Sequence, residues 1–235
     1  SGCISIVASI SYGELMLAGY FILIAAIFDF VDGLVARSLN SITEFGKQLD
    51  SLADVVSFGV APSMILYRLM LLSYVGSSPE ADFDVMNPAP GEGIVLFAAF
   101  LVAVFSALRL AKFNLDTKQV KSFRGLPTPA NALFIAALGF LAESSRELPF
   151  AELVFNRYFL LVIIGLSCFL LVSNIRMFSL KVSSFDLAKN WVQYLFLILS
   201  VLLIVLFGLP GLAPVIVLYI ILSVISGYAL KTEQE

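Results

Sequence analysis

Four acidic residues, Asp29, Asp32, Asp50 and Asp54, interrupt stretches of the sequence that are otherwise suited to lipid. A charged side chain at the centre of a membrane helix costs about 2.5–3.5 kcal/mol, so acids inside a membrane are rare and usually mark functional sites. Four of them between residues 29 and 54 need a common explanation. A bound cation supplies one, because hard divalent metals take carboxylate oxygens as ligands. We therefore predict a divalent-metal site in this stretch.

The spacing of the acids predicts that they converge. In the first segment, two acids and two small residues are spaced at i, i+3, i+4 and i+7. In the second segment, a small residue and two acids are spaced at i, i+4 and i+8. Either spacing places the whole set on one face of a helix. A short connection makes the two helices antiparallel neighbours. The small residues leave room for a ligand, although small residues also commonly pack membrane helices together. The two faces consist of Asp29, Asp32, Gly33 and Ala36, and of Gly46, Asp50 and Asp54.

The composition predicts an all-α fold, a polytopic membrane bundle that positions these acids. Of the 235 residues, 60% are hydrophobic and 13% are charged, with a mean hydropathy of +1.00, whereas soluble domains are about 45–50% apolar and about 25% charged. A spanning helix needs about 20 apolar residues. On that measure we predict about eight transmembrane helices, the first of them truncated and the third bent near Gly59 and Pro62. The predicted spans are 2–10, 15–39, 44–72, 93–115, 127–142, 158–174, 191–208 and 214–230.

The distribution of charge predicts the orientation. Lys and Arg concentrate in alternate connections and in the C-terminal tail, whereas the loop 73–92 is acidic. By the positive-inside rule the basic connections and both termini are cytoplasmic, so the acids open toward the cytoplasm. We place the protein in the inner or plasma membrane of a prokaryote. The net charge of -3 gives no reason to expect a nucleic-acid partner, and the absence of histidine excludes histidine ligands and a histidine base.

The acidic stretch resembles the signature of the CDP-alcohol phosphotransferase family. The resemblance implies that the chain, as one integral-membrane domain over residues 1–235, transfers a phosphatidyl-type group from a CDP-linked lipid to an alcohol and releases CMP. It also implies a homodimer. The eight matching positions are Asp29-x2-Asp32-Gly33-x2-Ala36-Arg37-x8-Gly46-x3-Asp50-x3-Asp54.

Carried over by position, the resemblance assigns a role to each residue of the signature. It implies that Asp29, Asp32 and Asp50 bind Mg²⁺ or Mn²⁺, and that Asp54 contributes to the metal site and acts as general base on the attacking hydroxyl. Such roles agree with phosphoryl-type transfer, which relies on positioning and on charge neutralisation by metals. Arg37 taken alone is also explained as an interfacial anchor. The CDP-binding residues implied by the resemblance are Asp29, Gly33, Ala36, Arg37 and Gly46.

Other segments indicate which alcohol is used. Residues 51–63, 108–114, 123–130 and 172–176 resemble the branch of the family that joins L-serine to CDP-diacylglycerol in phospholipid synthesis, giving phosphatidylserine and CMP. Arginine suits the carboxylate of serine because it forms bidentate hydrogen bonds. Basic residues at this end are also explained by the positive-inside rule alone. The predicted serine- or phosphate-binding residues are Arg109, Arg124, Thr128 and Asn131.

Two other functions stay open from the sequence. A sibling enzyme of the same family would use another alcohol, glycerol 3-phosphate or inositol phosphate. A cation transporter would use the acids as an ion path, but its carboxylates would be distributed across the depth of the bilayer, whereas these four lie in one half. For the transferase we expect direct attack of the serine hydroxyl on the β-phosphorus, with inversion at phosphorus.

Overall fold

The computed structural model of the chain is a bundle of helices, and it describes residues 1–39, 43–77, 90–115, 123–144, 151–177 and 191–232. The acidic loop 73–92 and the basic loop 116–126 lie largely outside these ranges. Short π and 3₁₀ segments join several helices. The helices are α1 (Gly2–Val7), α2 (Leu15–Ser38), α3 (Glu44–Asp54), α4 (Ala61–Ser77), α5 (Pro90–Phe97), α6 (Leu101–Leu115), α7 (Thr128–Ala142), α8 (Arg157–Val172), α9 (Trp191–Phe207) and α10 (Leu212–Thr232).

The predicted all-α membrane fold is confirmed. Within the described ranges, three helical segments are long and apolar enough to cross a membrane, and five shorter apolar helices correspond to the other predicted spans. Large apolar side chains lie on the outer surface, such as Phe28 at 65% and Ile94 at 75% exposure. Soluble monomers rarely expose extended apolar patches, whereas contact with lipid requires them. The three long segments are Leu15–Ala36, Glu44–Tyr74 and Gly93–Leu115.

The core lies where α2, α4, α7 and α8 meet. The helix α2 packs along α7, and the ring of Tyr20 meets that of Phe140 edge to face, with centroids 5.3 Å apart. Phe58, Ile65 and Leu69 are fully buried in this core. No residue of α9 is buried, and α9 packs on α10. The last two helices therefore join the bundle through α10, which packs against α7.

The start of α2 is capped from across the bundle. Glu143, which follows α7, accepts hydrogen bonds from the backbone N–H of Leu15 at 2.5 Å and of Met16 at 2.8 Å. The first N–H groups of a helix have no partner within it, and they carry partial positive charge. The Glu143 carboxylate therefore fixes the beginning of α2 to the end of α7, at the end of the bundle opposite the acids.

A short antiparallel pair of strands, which the sequence did not predict, joins the segment before α7 to the segment after α8. The strand β1 (Phe123–Arg124) pairs with β2 (Arg176–Met177), and the N–H of Gly125 donates to the carbonyl of Ile175 at 2.9 Å. Gly125 has a φ of 75°, and an added Cβ would lie 2.8 Å from the carbonyl oxygen of Leu171. Only glycine fits both demands. The turn at Gly125 therefore leads the chain into α7 close to the end of α8.

The long helical segment changes its winding near the position where a bend was predicted. The helix α3 passes into a π segment, Val55–Val60, and then into α4. Single π turns inside helices occur frequently at functional sites. A Cβ added at Gly59 would lie 3.2 Å from the Cβ of Ser106 and 3.5 Å from the Cα of Ala103. The missing side chain at Gly59 therefore allows α6 to pack closely against the segment that follows Asp54.

Candidate functional site

Three of the four acids meet at one end of the bundle. Asp29 and Asp32 lie on α2, and Asp50 lies on α3. Each offers one carboxylate oxygen, and these three oxygens lie within 4.8 Å of one another. Asp29 is half-buried, and the other two are exposed. The spacing of three residues keeps Asp29 and Asp32 on one face of α2, and α3 returns beside that face as the sequence predicts.

The chemistry of this group suits a divalent cation. Carboxylates this close repel one another unless a proton or a cation lies between them. Oxygen donors are the ligands that Mg²⁺, Mn²⁺ and Ca²⁺ prefer. The chain contains no histidine, and its two cysteines, Cys3 and Cys168, are remote in sequence from the three acids. Asp29, Asp32 and Asp50 are therefore the residues that fit a hard metal ion.

Asp54 lies beside this group rather than within it. It follows Asp50 by one helical turn, it is half-buried, and its carboxyl group is close enough to that of Asp29 for the two to interact. On another side, Asp54 interacts electrostatically with Arg109 of α6. Asp54 thus interacts both with the three clustered carboxylates and with a guanidinium.

A cavity of about 510 Å³ opens beside the acids, a size within the usual range for small-molecule sites. Thr43 caps α3, because its Oγ1 accepts a hydrogen bond from the N–H of Gly46 at 3.0 Å. A Cβ added at Gly46 would meet that same oxygen at 3.0 Å, so the absence of a side chain preserves both the cap and the open wall. The walls include Asp29, Asp32, Gly33, Ala36, Gly46 and Asp50, together with Thr43 and Lys47.

Two of these wall residues were missed from the sequence. From the sequence, Lys47 was treated only as one of the basic residues in the connections between spans. It precedes Asp50 by three residues, however, and so shares its helical face. Thr43 carried the signal of a helix N-cap, since a threonine directly precedes the first turn of α3. Lys47 brings a positive charge to the cavity, where it would face an anionic ligand.

A second polar cluster lies beside Asp54, between α6 and α7. The Nη1 of Arg109 donates a hydrogen bond to Thr128 Oγ1 at 3.2 Å, and its Nε is buried without a partner in the part of the chain that the structure describes. Asn131, one turn after Thr128, is 1% exposed, and among the described residues its Nδ2 likewise has no partner. A buried unpaired donor costs about 1–3 kcal/mol. A ligand that carries acceptor oxygens would satisfy these donors.

Two further hydrogen bonds hold the end of α6 in place. Asn114 Nδ2 donates to Ser51 Oγ of α3 at 2.9 Å. Lys112 Nζ lies 3.5 Å from Asn174 Oδ1, just beyond α8. Arg109 therefore belongs to a helix whose end is fixed on both sides, and its position relative to the acids is set by the fold.

Two of the predicted site residues, Arg37 and Arg124, are described only by their backbones. Arg37 lies in the last turns of α2, directly after Ala36, and Arg124 lies in β1. Their side chains fall outside what the structure describes, so their contacts with CDP or with serine stay predictions.

The fold and the site define a class of protein. It is a helical membrane protein in which three clustered carboxylates, suited to a divalent metal, lie beside a cavity of small-molecule size. The family model of CDP-alcohol phosphatidyltransferase matches residues 2–170, which is more than half of the chain. The chain therefore belongs to the CDP-alcohol phosphatidyltransferase family.

Curated relatives carry closely related names. A CDP-diacylglycerol--serine O-phosphatidyltransferase from Helicobacter pylori is 34% identical over 228 residues, covering 95% of this chain and 84% of that protein. The protein of the same name from Bacillus subtilis is 33% identical, covering 56% of this chain and 65% of its own length. An archaetidylserine synthase from Methanothermobacter thermautotrophicus is 40% identical, covering 62% of this chain and 56% of its own length. No solved structure is significantly similar to the chain.

Proposed function

We propose that the protein transfers the phosphatidyl group of CDP-diacylglycerol to L-serine, giving phosphatidylserine and CMP. The observation that carries this proposal is the group of three carboxylates beside a cavity of small-molecule size, with Asp54 one helical turn after Asp50 on α3. The family supports the CDP-linked donor, and the names of the relatives support serine as the acceptor.

We assign Mg²⁺ or Mn²⁺ to Asp29, Asp32 and Asp50, with Asp54 contributing from the side. When bound, the metal neutralises charge on the pyrophosphate and on the departing CMP. The small residues at the wall give the nucleotide access to the space between α2 and α3, and Lys47 adds positive charge there. The residues assigned to CDP are Asp29, Gly33, Ala36, Arg37 and Gly46.

Asp54 is the general base in this proposal. It takes the proton of the serine hydroxyl as the hydroxyl oxygen attacks the β-phosphorus of CDP-diacylglycerol. A new bond forms between serine oxygen and phosphorus, the bond from phosphorus to the CMP oxygen breaks, and CMP leaves. A carboxylate can act in this way when it reaches the hydroxyl. The proposal predicts inversion at phosphorus because no covalent intermediate intervenes.

The cluster beside Asp54 holds serine. Arg109 pairs with the serine carboxylate, since a guanidinium offers donors in a fixed fork that matches a carboxylate. Thr128 orients that guanidinium through the observed hydrogen bond, and the unpaired amide of Asn131 donates to the same substrate. Arg124, directly before the turn at Gly125, is assigned to the serine or phosphate as well.

The setting of the reaction is also part of the proposal. We infer that residues 1–235 act as a single integral-membrane domain, that the active site faces the cytoplasm, and that the enzyme is a homodimer in a prokaryotic inner or plasma membrane. The basic connections at the acid end support the orientation through the positive-inside rule.

The test is incorporation of radiolabelled L-serine into lipid by purified protein in detergent or liposomes, with CDP-diacylglycerol and Mg²⁺ or Mn²⁺. We expect labelled phosphatidylserine and an equal amount of CMP. Parallel reactions replace serine with glycerol 3-phosphate or inositol phosphate. Product with one of those alcohols and none with serine would refute the acceptor and keep the family. Metal flux across liposomes without CDP-lipid would instead favour a transporter.

A further inference from the structure

The helix α3 has little apolar packing to hold it beside the bundle. It carries Asp50 and Asp54, yet none of its residues is buried. Its large apolar side chains, Phe45, Leu49 and Leu52, are 78%, 57% and 66% exposed, and their spacing of i, i+4 and i+7 places them on a different face from the acids. Among the described residues, the contacts of α3 with other elements are concentrated on the π segment that continues it. Burial of apolar surface therefore does little to fix the lateral position of α3.

A hydrogen bond from α6 supplies a lateral contact. Asn114 Nδ2 donates to Ser51 Oγ at 2.9 Å, and Ser51 Oγ donates in turn to the carbonyl oxygen of Lys47 at 3.0 Å. Because the single hydroxyl proton of Ser51 is directed to Lys47, the hydroxyl accepts from Asn114. The amide therefore connects the end of α6 to the turn of α3 that lies between Lys47 and Asp54.

This hydrogen bond is in register with the close contact between Gly59 and Ser106. A Cβ added at Gly59 would lie 3.2 Å from the Cβ of Ser106. Ser51 precedes the glycine by eight residues, and Asn114 follows Ser106 by eight residues, which is about 12 Å along each helix. The two segments therefore run antiparallel, with one contact at either end of this length. Asp54 lies between the two contacts.

The end of α6 has a second attachment, which does not involve α3. Lys112 Nζ lies 3.5 Å from Asn174 Oδ1. Asn174 directly precedes Ile175, whose carbonyl oxygen accepts a hydrogen bond from the N–H of Gly125 at 2.9 Å. Asn114 therefore extends from a helix end that is also held at the pairing of β1 with β2.

We propose that Asn114 is a positioning residue that holds α3 against α6 and so keeps Asp50 beside Asp29 and Asp32. This inference rests on the proposed function for the chemistry at these acids. Clustered carboxylates repel one another, and no buried residue of α3 opposes that repulsion. The hydrogen bond to the turn that follows Asp50 opposes it. A metal site whose carboxylates are already in place loses less conformational freedom when the ion binds.

The test compares Asn114→Leu, which removes the amide, with wild type. The first readout is hydrogen–deuterium exchange of the full chain in detergent without added metal. We expect the backbone amides of residues 44–54 to exchange about three- to tenfold faster, the scale of one hydrogen bond, and those of α7 to be unchanged. Titration with Mn²⁺ in the presence of CDP should give a Kd raised by the same factor. The KM for L-serine should stay within about twofold of wild type, because Arg109 and Thr128 do not lie on α3.

Variants of Ser51 test whether the effect depends on the observed bond. Ser51→Ala removes the acceptor and should match Asn114→Leu, whereas Ser51→Thr keeps a hydroxyl and should stay near wild type. Combining Asn114→Leu with Ser51→Ala should add little to either change alone, since both remove the same bond. Additive effects on the exchange of residues 44–54 overturn the proposal, because two separate contacts would then be responsible.

The matched control is Lys112→Met at the same end of α6, which removes the contact with Asn174 rather than the one with α3. We expect it to leave the exchange of residues 44–54 and the Kd for Mn²⁺ unchanged. Equal acceleration in Lys112→Met overturns the proposal, since the effect would then come from loosening of α6, and so does wild-type exchange in Asn114→Leu. Wild-type protein that fails to transfer serine overturns the proposed function, and the exchange of residues 44–54 still decides the role of Asn114.

Discussion

Replacing Gly59 by alanine should disturb the contact that places Arg109 beside Asp54. Gly59 lies in the π segment directly after α3, and an added Cβ would lie 3.2 Å from the Cβ of Ser106 on α6. Arg109 follows Ser106 by three residues on the same helix. A displacement of α6 at Ser106 is therefore passed on to the guanidinium.

The size of the effect follows from two opposing terms. Alanine in place of glycine inside a helix stabilises by about 0.5–1 kcal/mol when there is space for it. Carbon atoms pack best at about 3.5–4.0 Å, so the new Cβ must push α6 outward by a few tenths of an ångström. Overpacking of this kind costs about 1–3 kcal/mol. We expect a net loss of up to about 2.5 kcal/mol, or up to about 10 °C in Tm.

The matched control is Gly165→Ala in α8, where no described atom lies within 4 Å of the added Cβ. This variant should gain up to about 1 kcal/mol, or about 2–4 °C. The assay is thermal unfolding in detergent for both variants, together with the KM for serine and for CDP-diacylglycerol. We expect Gly59→Ala to raise the serine KM several-fold and Gly165→Ala to leave it unchanged. Equal Tm values and equal serine KM values in the two variants would refute the reasoning.

Three further predictions test other parts of the structure. Asp50→Asn removes one of three clustered carboxylates, so Mn²⁺ affinity and CDP affinity should fall together, by about tenfold or more, when each is measured by titration. Thr128→Val removes the acceptor of the Arg109 hydrogen bond and should raise the serine KM about tenfold, whereas Thr128→Ser should stay near wild type; equal values in the two variants would contradict the role of the bond. Glu143→Gln weakens the cap on α2 and should lower Tm by about 1–4 °C with both KM values unchanged, while a changed KM would contradict a purely structural role.

The fold and the clustering of three acids were predictable because they depend on local patterns. Apolar runs about 20 residues long predict membrane helices, since a helix is the way to satisfy backbone polar groups in lipid. The placement of the acids was predictable as well, because a spacing of three or four residues along a helix puts side chains on the same face. Asp29, Asp32 and Asp50 were thus expected together, and their oxygens do lie together.

The remaining features depend on contacts between residues far apart in sequence. The pairing of β1 with β2 joins segments that flank α7 and α8. A strand of two residues is too short to show a periodic pattern in the sequence. The hydrogen bond from Asn114 to Ser51 joins residues that are 63 positions apart in the sequence. The same holds for Glu143, which follows α7 in the chain and caps α2. Only the folded chain brings such pairs together.

The central claim is that Asp54 activates the acceptor beside a metal held by the other three acids. The most direct test is the single-turnover rate of serine transfer by Asp54→Asn, at saturating Mn²⁺, serine and CDP-diacylglycerol. The account predicts a fall of about a hundred- to ten-thousandfold, the usual contribution of a general base. A rate within about threefold of wild type would contradict it.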